Sequence, residues 1–568
     1  MRILITSALP YINGIKHLGN LVGSLLPADV LARFQRQRGH DVLYICATDE
    51  HGTPAELAAL DAGVPVAEYC LAQHEIQRSI YEAFSISFDE FGRSSSADNH
   101  QLTQAFYHRL DDCGMIEERT VQQLYSPADG RFLPDRYVIG TCPHCGYTGA
   151  RGDQCESCTS VIDPTELIEP RSAISGSGDL EIRSTRHLYL RQSLLEGEIG
   201  RWIDQHDDWP VLVTSIARKW LTEGVRDRSI TRDLSWGIPV DRPGFENKVF
   251  YVWFDAPIAY IATTKTLTDR DPSRGDWKSW WYDADDVTYY QFMAKDNVPF
   301  HTITFPATLL GTGEPWKLVD ELKGFNWLTF YGGKFSTSQQ RGIFMDAALR
   351  EFPSDYWRYW LLANAPESSD SVFTFARFVE QTNKDLAHTL GNFVNRTIRF
   401  CAQHFGQQIP SGGTMTDVER EMIASLEALV SEYREHMEKL EFRKAMAALR
   451  SIWVLGNGYL TTAAPWTAIK SDRERAAAIV RTALNFIRLC ALLSWPVIPD
   501  ASETILAAFG AAGGVPLWPE DLGAALTEGA GEPFELLPPL FEVSDHDRVE
   551  ELTLRYGGSD EAEPDAQL

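Results

Sequence analysis

"RILITSALPYINGIKHLGNLVGSLLPADVLARFQRQRGHDVLYICATDEHGTP", residues 2–54, decides the fold. Ile3 to Thr6 read as a short strand, followed by a turn shaped by Pro10 and Gly14. Leu21, Leu25, Val30, Leu31 and Phe34 then recur on an approximately helical face. Pro27 interrupts that face and predicts a kink. Residues 41–50, DVLYICATDE, are a β-rich run ending in acids. Strand, helix, strand in this order is a βαβ unit and predicts a parallel sheet. Ligands of such sheets bind beyond the carboxyl ends of the strands. ALPYINGIKHLGN (8–20) and TDEHGTP (48–54) both stand at those ends.

Working outward, the character changes over residues 119–230, where Gly, Pro, Cys and Ser are frequent and helical periodicity is weak. This reads as an insertion into an α/β sheet domain. KVFYVWFDAPIAYI (248–261) and VTYYQFMAKDNVPFHTITFPATLLG (287–311) read as a return of β-like segments. GKFSTSQQRGIF (333–344) follows as a loop, and after about residue 371 the pattern turns helical. Ile479, Ala483, Phe486, Ile487 and Cys490 share one helical stripe, which predicts a closing helical bundle. The segment 551–568 is acidic and reads as a disordered tail.

The 568 residues suggest about three or four domains. A hydrophobic content of 44% with 16 Trp supports sizeable cores. The first residues lack a basic stretch followed by a long apolar one, so no signal peptide is expected. No run of 18 apolar residues appears, so no membrane partner is expected either. A cytoplasmic location follows as the expectation. The formal net charge of −27 weighs against nucleic acid as a partner. It leaves room for a local basic groove, because net charge is an average.

CPHCGYTGARGDQCESC (142–158) pairs Cys142 with Cys145 and Cys155 with Cys158. Two CxxC turns separated by nine residues suit one tetrahedral thiolate site, and zinc fits it. Four protein ligands leave no open position, so the metal is expected to be structural. His144 lies inside the first turn and reads as a bystander. The five other cysteines (Cys46, Cys70, Cys113, Cys401, Cys490) are scattered, as in a reducing compartment.

In the opening stretch a helix begins near His17–Gly19. Its free N–H groups and positive dipole end suit an anionic phosphate. Gly19 lets a flat ligand approach, and His17 and Asn20 share one face. By itself this is either an anion site or a structural turn. Lys334, in a loop with three hydroxyls, has the charge to stabilise a polyphosphate leaving group. The spacing is not that of a P-loop, and a charged surface turn is the other reading.

HLGN (17–20) and, about 320 residues later, KFSTS (334–338) resemble the two signature motifs of class I aminoacyl-tRNA synthetases. ATDEHGTP, RFLPDRYVIGTCPHCGY, GDQCESC, PTELIEPRSA, ITRDLSWGIPV, YVWFDAPIAYI, FMAKDNVPFHTITFPA and APW extend the resemblance to the methionyl-tRNA synthetase family, over residues 3 to roughly 550. AKDNVPFH and WRYWLLANAPESSDS look closer to its archaeal and eukaryotic branch.

The resemblance implies a Rossmann-type catalytic domain in two halves (1–118 and 231–325) around a connective insertion with a zinc knuckle (119–230). It further implies a stem-contact segment with the KFSTS loop (326–370) and an all-α anticodon-binding bundle (371–550). The implied activity is activation of L-methionine with ATP to methionyl-adenylate, then transfer to the 3′-terminal adenosine of tRNA(Met). Mg²⁺ would accompany ATP, one structural zinc would be bound, and the chain would work as a monomer.

By similarity His17, Asn20 and Lys334 are catalytic, and Gly19, Asp296, Ser336 and Ser338 bind ATP. Ala8, Leu9, Tyr11, Asp49, Trp253, Ala256, Pro257, Tyr260 and His301 would form the methionine pocket. Asp49 would pair with the substrate ammonium, and the aromatic rings suit a thioether. His301 and Tyr260 would orient around the sulfur. Asn392, Arg396 and Trp466 would read the anticodon by hydrogen bonding and stacking.

Two departures stand out. Thr337 occupies the place of the second signature lysine, leaving Lys334 alone or compensated by Arg341. The insertion also lacks cysteines for a second knuckle, so one zinc is expected. An insertion of about 110 residues is too small for the editing domain of a leucyl or isoleucyl enzyme. A paralogue making methionyl-adenylate for another acceptor, or a non-catalytic tRNA-binding protein, remain as alternatives.

Overall fold

Five parallel strands form the central sheet: β1 (Arg2–Ser7), β2 (Asp41–Thr48), β3 (Glu90–Arg93), β4 (Val287–Ala294) and β5 (Glu321–Phe325). They lie in the order β5-β4-β1-β2-β3. The chain moves from β1 outward to β2 and β3, then returns to the other side of β1 with β4. The order therefore reverses beside β1, and the crevice at its carboxyl end is where such sheets bind ligands. The computed structural model describes residues 1–557 except Glu156, Thr159, 337–340 and Ala512.

The kink expected at Pro27 takes the form of a π turn. Residues Leu21–Leu25 are π-helical and hand over to the α-helix Leu26–Gln37, with Pro27 in its first turn. Proline lacks an N–H, and an early helical position costs it least. The same arrangement recurs at the π turn Phe300–Thr304, which leads into Phe305–Gly311 with Pro306 in the first turn. Local π turns of this kind are frequent at functional sites.

Two β-like expectations are corrected. KVFYVWFDAPIAYI forms a strand only at Val249–Phe250 and is α-helical over Val252–Arg270. This helix packs between the sheet and the helix Ala97–Asp112, and most of its residues are buried. Burial on every side erases the polar face that reveals a helical period. VTYYQFMAKDNVPFHTITFPATLLG is a strand to Ala294 and helical from Phe300.

In the insertion, strands Ile116–Ser126 and Glu181–Leu190 pair antiparallel over ten residue positions. They carry a small sheet of Val138–Thr141, Ala150–Arg151 and Ile168–Ser172 around the cysteines. Buried Glu56, on the helix Thr53–Ala62, anchors this unit. It accepts hydrogen bonds from Tyr137 Oη, from Arg131 and from the amides of Ser235 and Trp236.

The C-terminal part is helical, built on Asn392–Phe405, Asp417–Glu438, Phe442–Ala463 and Arg473–Ser494. Among the described helices Arg473–Ser494 alone has the length and composition to cross a membrane, and it lies buried in the bundle. The disorder expected from residue 551 does not hold over 551–556. Residues His546–Tyr556 are a helix with Leu552 fully buried, and Arg548, Arg555 and Tyr556 converge on the carboxylate of Glu351. Its charge pattern resembled a tail, and the partner acid lies about 200 residues away in sequence. Residues 558–568 lie outside the described part.

Candidate active site

A cavity of about 840 Å³ opens at the carboxyl ends of β1, β2 and β4. All nine residues expected to form the methionine pocket line it, together with His17, Gly19, Asn20, Asp296 and Lys334. The turn after β1 is pinned to the end of β2 by two backbone bonds. Asp49 N–H donates to Pro10 C=O at 2.9 Å, and Ile12 N–H donates to Asp49 C=O at 2.9 Å. Buried Gln77 donates to the carbonyls of Tyr11 and Gly14, both at 3.0 Å. Sequence reading missed Gln77, because an amide inside an amphipathic helix carries no signal of what it holds.

His17 caps the helix that starts at Leu18. The Asn20 amide donates to His17 Nδ1 at 3.3 Å, and the His17 amide donates to Asn20 Oδ1 at 3.2 Å. Accepting at Nδ1 leaves the proton on Nε2, so Nε2–H is the donor available to a ligand. Burial, then the neighbouring Lys16 charge, hold the His17 imidazole neutral at pH 7 by depressing its pKa. Gly19 is required chiefly by this cap. A Cβ there would lie 3.0 Å from His17 Nδ1 and 3.6 Å from the Phe335 ring.

The two signature motifs meet directly. The His17 ring stacks on Phe335, centroids 4.8 Å apart. Leu18 N–H donates to Ile343 C=O, and Met345 N–H donates to Lys16 C=O, so HLGN is strapped to the chain that follows KFSTS. Lys334 is exposed and its ammonium lies over the Trp327 ring at 4.7 Å, with Lys295 over the same ring at 4.1 Å. Lys295, left without a role by the sequence, is also paired to Asp370 at 3.0 Å.

Ser336 does not line the cavity, and its backbone pairs with that of Arg341. Ser338 and Thr337 lie outside the described residues. Arg341 donates to Phe330 C=O at 3.4 Å and packs over Gly333. It does not line the cavity.

The deep end is apolar and acidic. Trp253 stacks on Phe300 at 3.6 Å and meets Tyr11 edge-on. Pro257 lacks an N–H, so the Trp253 carbonyl loses its usual helical donor. Buried Asp49 has an unpartnered Oδ1. Burial and the nearby charges of Asp255 and Glu50 push its carboxyl well above the usual range, with Lys16 opposing. A ligand cation would relieve that penalty. Behind it His51 bonds Asp255 at 2.7 Å, both buried.

His301 and Tyr260 bond each other rather than presenting two free groups. His301 Nδ1–H donates to Asn297 C=O at 2.9 Å, so Nε2 accepts from Tyr260 O–H at 3.1 Å. Burial pushes the His301 imidazole down to about 4. The pair is neutral and polarizable, which suits a thioether better than a charged side chain.

The four sulfurs of Cys142, Cys145, Cys155 and Cys158 lie within 4.8 Å of one another, with pairs at 3.7 and 3.8 Å. Bonds of ~2.3 Å in a tetrahedron require sulfur separations of about 3.8 Å, so zinc fits the donor set. His144 contributes its amide to Cys142 Sγ at 3.4 Å.

In the bundle, the Arg396 guanidinium lies 5.2 Å over the Trp466 ring, and both residues are exposed. Asn392 donates to Asn457 at 3.4 Å, and Asn457 in turn donates to Thr389 C=O.

Residues 3–398 match the family model described as tRNA synthetases class I (M). Residues 409–561 match the anticodon binding domain of methionyl tRNA ligase. A methionine–tRNA ligase of Streptomyces avermitilis is 58% identical over 573 residues, covering 99% of this chain and 100% of its own. One from a Ruegeria species is 58% identical over 569 residues, covering 98% and 99%. A solved structure, Mycobacterium tuberculosis methionyl-tRNA synthetase in complex with methionyl-adenylate, shares the fold. Its TM-score is 0.75 at 24% identity, covering 95% of this chain and 99% of that one. The chain belongs to the methionine–tRNA ligase family of the class I tRNA synthetases.

Proposed function

We infer that the protein activates L-methionine with ATP to methionyl-adenylate and transfers the methionyl group to the terminal adenosine of tRNA(Met). The observation that carries this is one cavity at the sheet's reversal point, lined by His17, Asn20, Lys334, Asp49 and the Trp253–Tyr260–His301 wall.

The cavity lining supports the roles that the family resemblance implies. The Asp49 carboxylate, with Oδ1 unpartnered, takes the substrate ammonium. Trp253, Tyr11, Leu9, Ala8, Ala256 and Pro257 enclose the thioether, with the neutral Tyr260–His301 pair beside the sulfur. His17 Nε2–H and Asn20 face the phosphates, and Asp296 faces the ribose. Lys334, paired with no acid among the described residues, meets the pyrophosphate as negative charge moves onto it. No covalent enzyme intermediate is needed, so the residues position reactants and stabilise charge. Ser336 joins the ATP site only if the loop changes conformation, and Ser338 is assigned there by the family resemblance alone.

ATP arrives with Mg²⁺. The four cysteines hold one structural zinc, which ties the knuckle together. Arg396, Trp466 and Asn392 form the anticodon-reading surface, the exposed ring offering a stacking face. The chain acts as a monomer in the cytoplasm. Methionine-dependent ATP–pyrophosphate exchange, followed by charging of a CAU-anticodon tRNA, tests the reading. Exchange without charging would point to another acceptor.

A further inference from the structure

Lys16 has no role in the account above. It is buried at 6% exposure, lines the cavity and immediately precedes His17. Its ammonium has one hydrogen-bond partner among the described residues, the neutral Asn13 Oδ1 at 2.9 Å. Its two other N–H positions have no partner among the described residues and are available to a ligand in the cavity.

The other cations of the cavity are differently placed. Lys219 is solvent-exposed, near Glu223. Lys295 is already paired to Asp370. Lys334 sits at the outer rim on Trp327. Lys16 alone is interior; it precedes His17 in the chain, and its charge acts on both His17 and Asp49. On the roles proposed above, Asp49 holds the methionine ammonium and His17 the phosphates. The groups that must lie between them are the methionine carboxylate and the α-phosphate. These are both anionic, and the loop supplies only one lysine, with Thr337 where a second would stand.

We propose that Lys16 is a catalytic residue of adenylation, its ammonium bridging the methionine carboxylate and the α-phosphate. In that step a carboxylate oxygen forms a bond to the α-phosphorus. The bond from the α-phosphorus to the α,β-bridging oxygen breaks, and its electron pair leaves with pyrophosphate. Lys16 keeps its proton throughout. It brings the two anions together and stabilises the negative charge on the five-coordinate phosphorus. Burial holds the free-enzyme ammonium down to about 7, so anion binding also favours its charged form.

The test compares wild type with Lys16→Met, Lys16→Gln and Lys16→Arg in the full-length zinc-loaded protein. Lys16→Met should lower the kcat of methionine-dependent exchange at saturating methionine by about tenfold or more, and should weaken methionine binding, read by tryptophan fluorescence, by less than that factor. Lys16→Arg should retain more exchange than either neutral variant. Lys16→Gln keeps a partner for Asn13 and serves if Lys16→Met does not fold. Wild-type exchange in a neutral variant overturns the proposal, as does a loss explained entirely by weaker methionine binding. Asp49→Asn and Lys334→Ala run alongside. If these also leave exchange intact, the pocket reading itself falls and the proposal with it. If only Lys16 proves dispensable, the pocket reading stands and the proposal alone fails.

Discussion

The His17 imidazole stacks on the Phe335 ring with centroids 4.8 Å apart and 25° between planes. This contact joins residues from the two ends of the catalytic half of the chain. It couples the position of Phe335, next to Lys334, to the histidine proposed to face the phosphates. Phe335→Ala should therefore lower the exchange rate by about tenfold through misplacement, with methionine binding unchanged. Equal rates for the variant and wild type would remove the contact from the mechanism. Gly19→Ala should lower exchange in the same assay, because its Cβ would lie 3.0 Å from His17 Nδ1 and press the ring from its place in the cap.

Lys334→Ala should reduce pyrophosphate exchange by about tenfold or more, since the charge it meets develops in the transition state. Methionine affinity should not change, because Lys334 stands at the rim away from Asp49. A near wild-type rate would refute its assignment.

Trp466→Ala should separate the two half-reactions. Loss of one stacked base costs about 1–3 kcal/mol, so charging falls roughly fivefold or more. Exchange, which needs no tRNA, should stay at the wild-type rate. Charging kinetics at varied tRNA concentration provide the readout. A variant that charges normally would return Trp466 to a packing role.

His301 makes a signed prediction about stability. Its folded pKa, about 4, is depressed from the ordinary 6.5 by burial. Between those values the unfolded chain binds more protons, so stability is full above about 6.5 and falls as pH drops towards 4. The shift corresponds to roughly 3 kcal/mol. Chemical denaturation of wild type and His301→Gln across pH 4–7 should show the gap between them shrinking in acid. A gap that is constant, or that widens in acid, would contradict the neutral Tyr260–His301 pair.

One zinc per chain should be found by elemental analysis, and a chelator should expose the knuckle between Arg131 and Arg171 to protease. Two metals per chain, or a chelated protein as resistant as the untreated one, would overturn the single-site reading.

The parts legible in the sequence were those with local signals. The β1–turn–helix–β2 unit is bounded by Pro10 and Gly14, and the two CxxC turns lie within 17 residues. The cavity was legible only through the joint resemblance of many motifs, since Tyr11, Trp253 and His301 are brought together by the sheet order. What failed had physical causes. The helix Val252–Arg270 hides its period by burial on all sides, and the terminal helix His546–Tyr556 depends on Glu351 far upstream. The contributions of Gln77 and Phe335 arise from contacts that no sequence spacing encodes.

The most direct test of the central claim is methionine-dependent ATP–pyrophosphate exchange by the purified protein, followed in the same preparation by charging of a CAU-anticodon tRNA. The predicted result is both activities, each abolished by Asp49→Asn. Absence of methionine-dependent exchange would contradict the account at its centre.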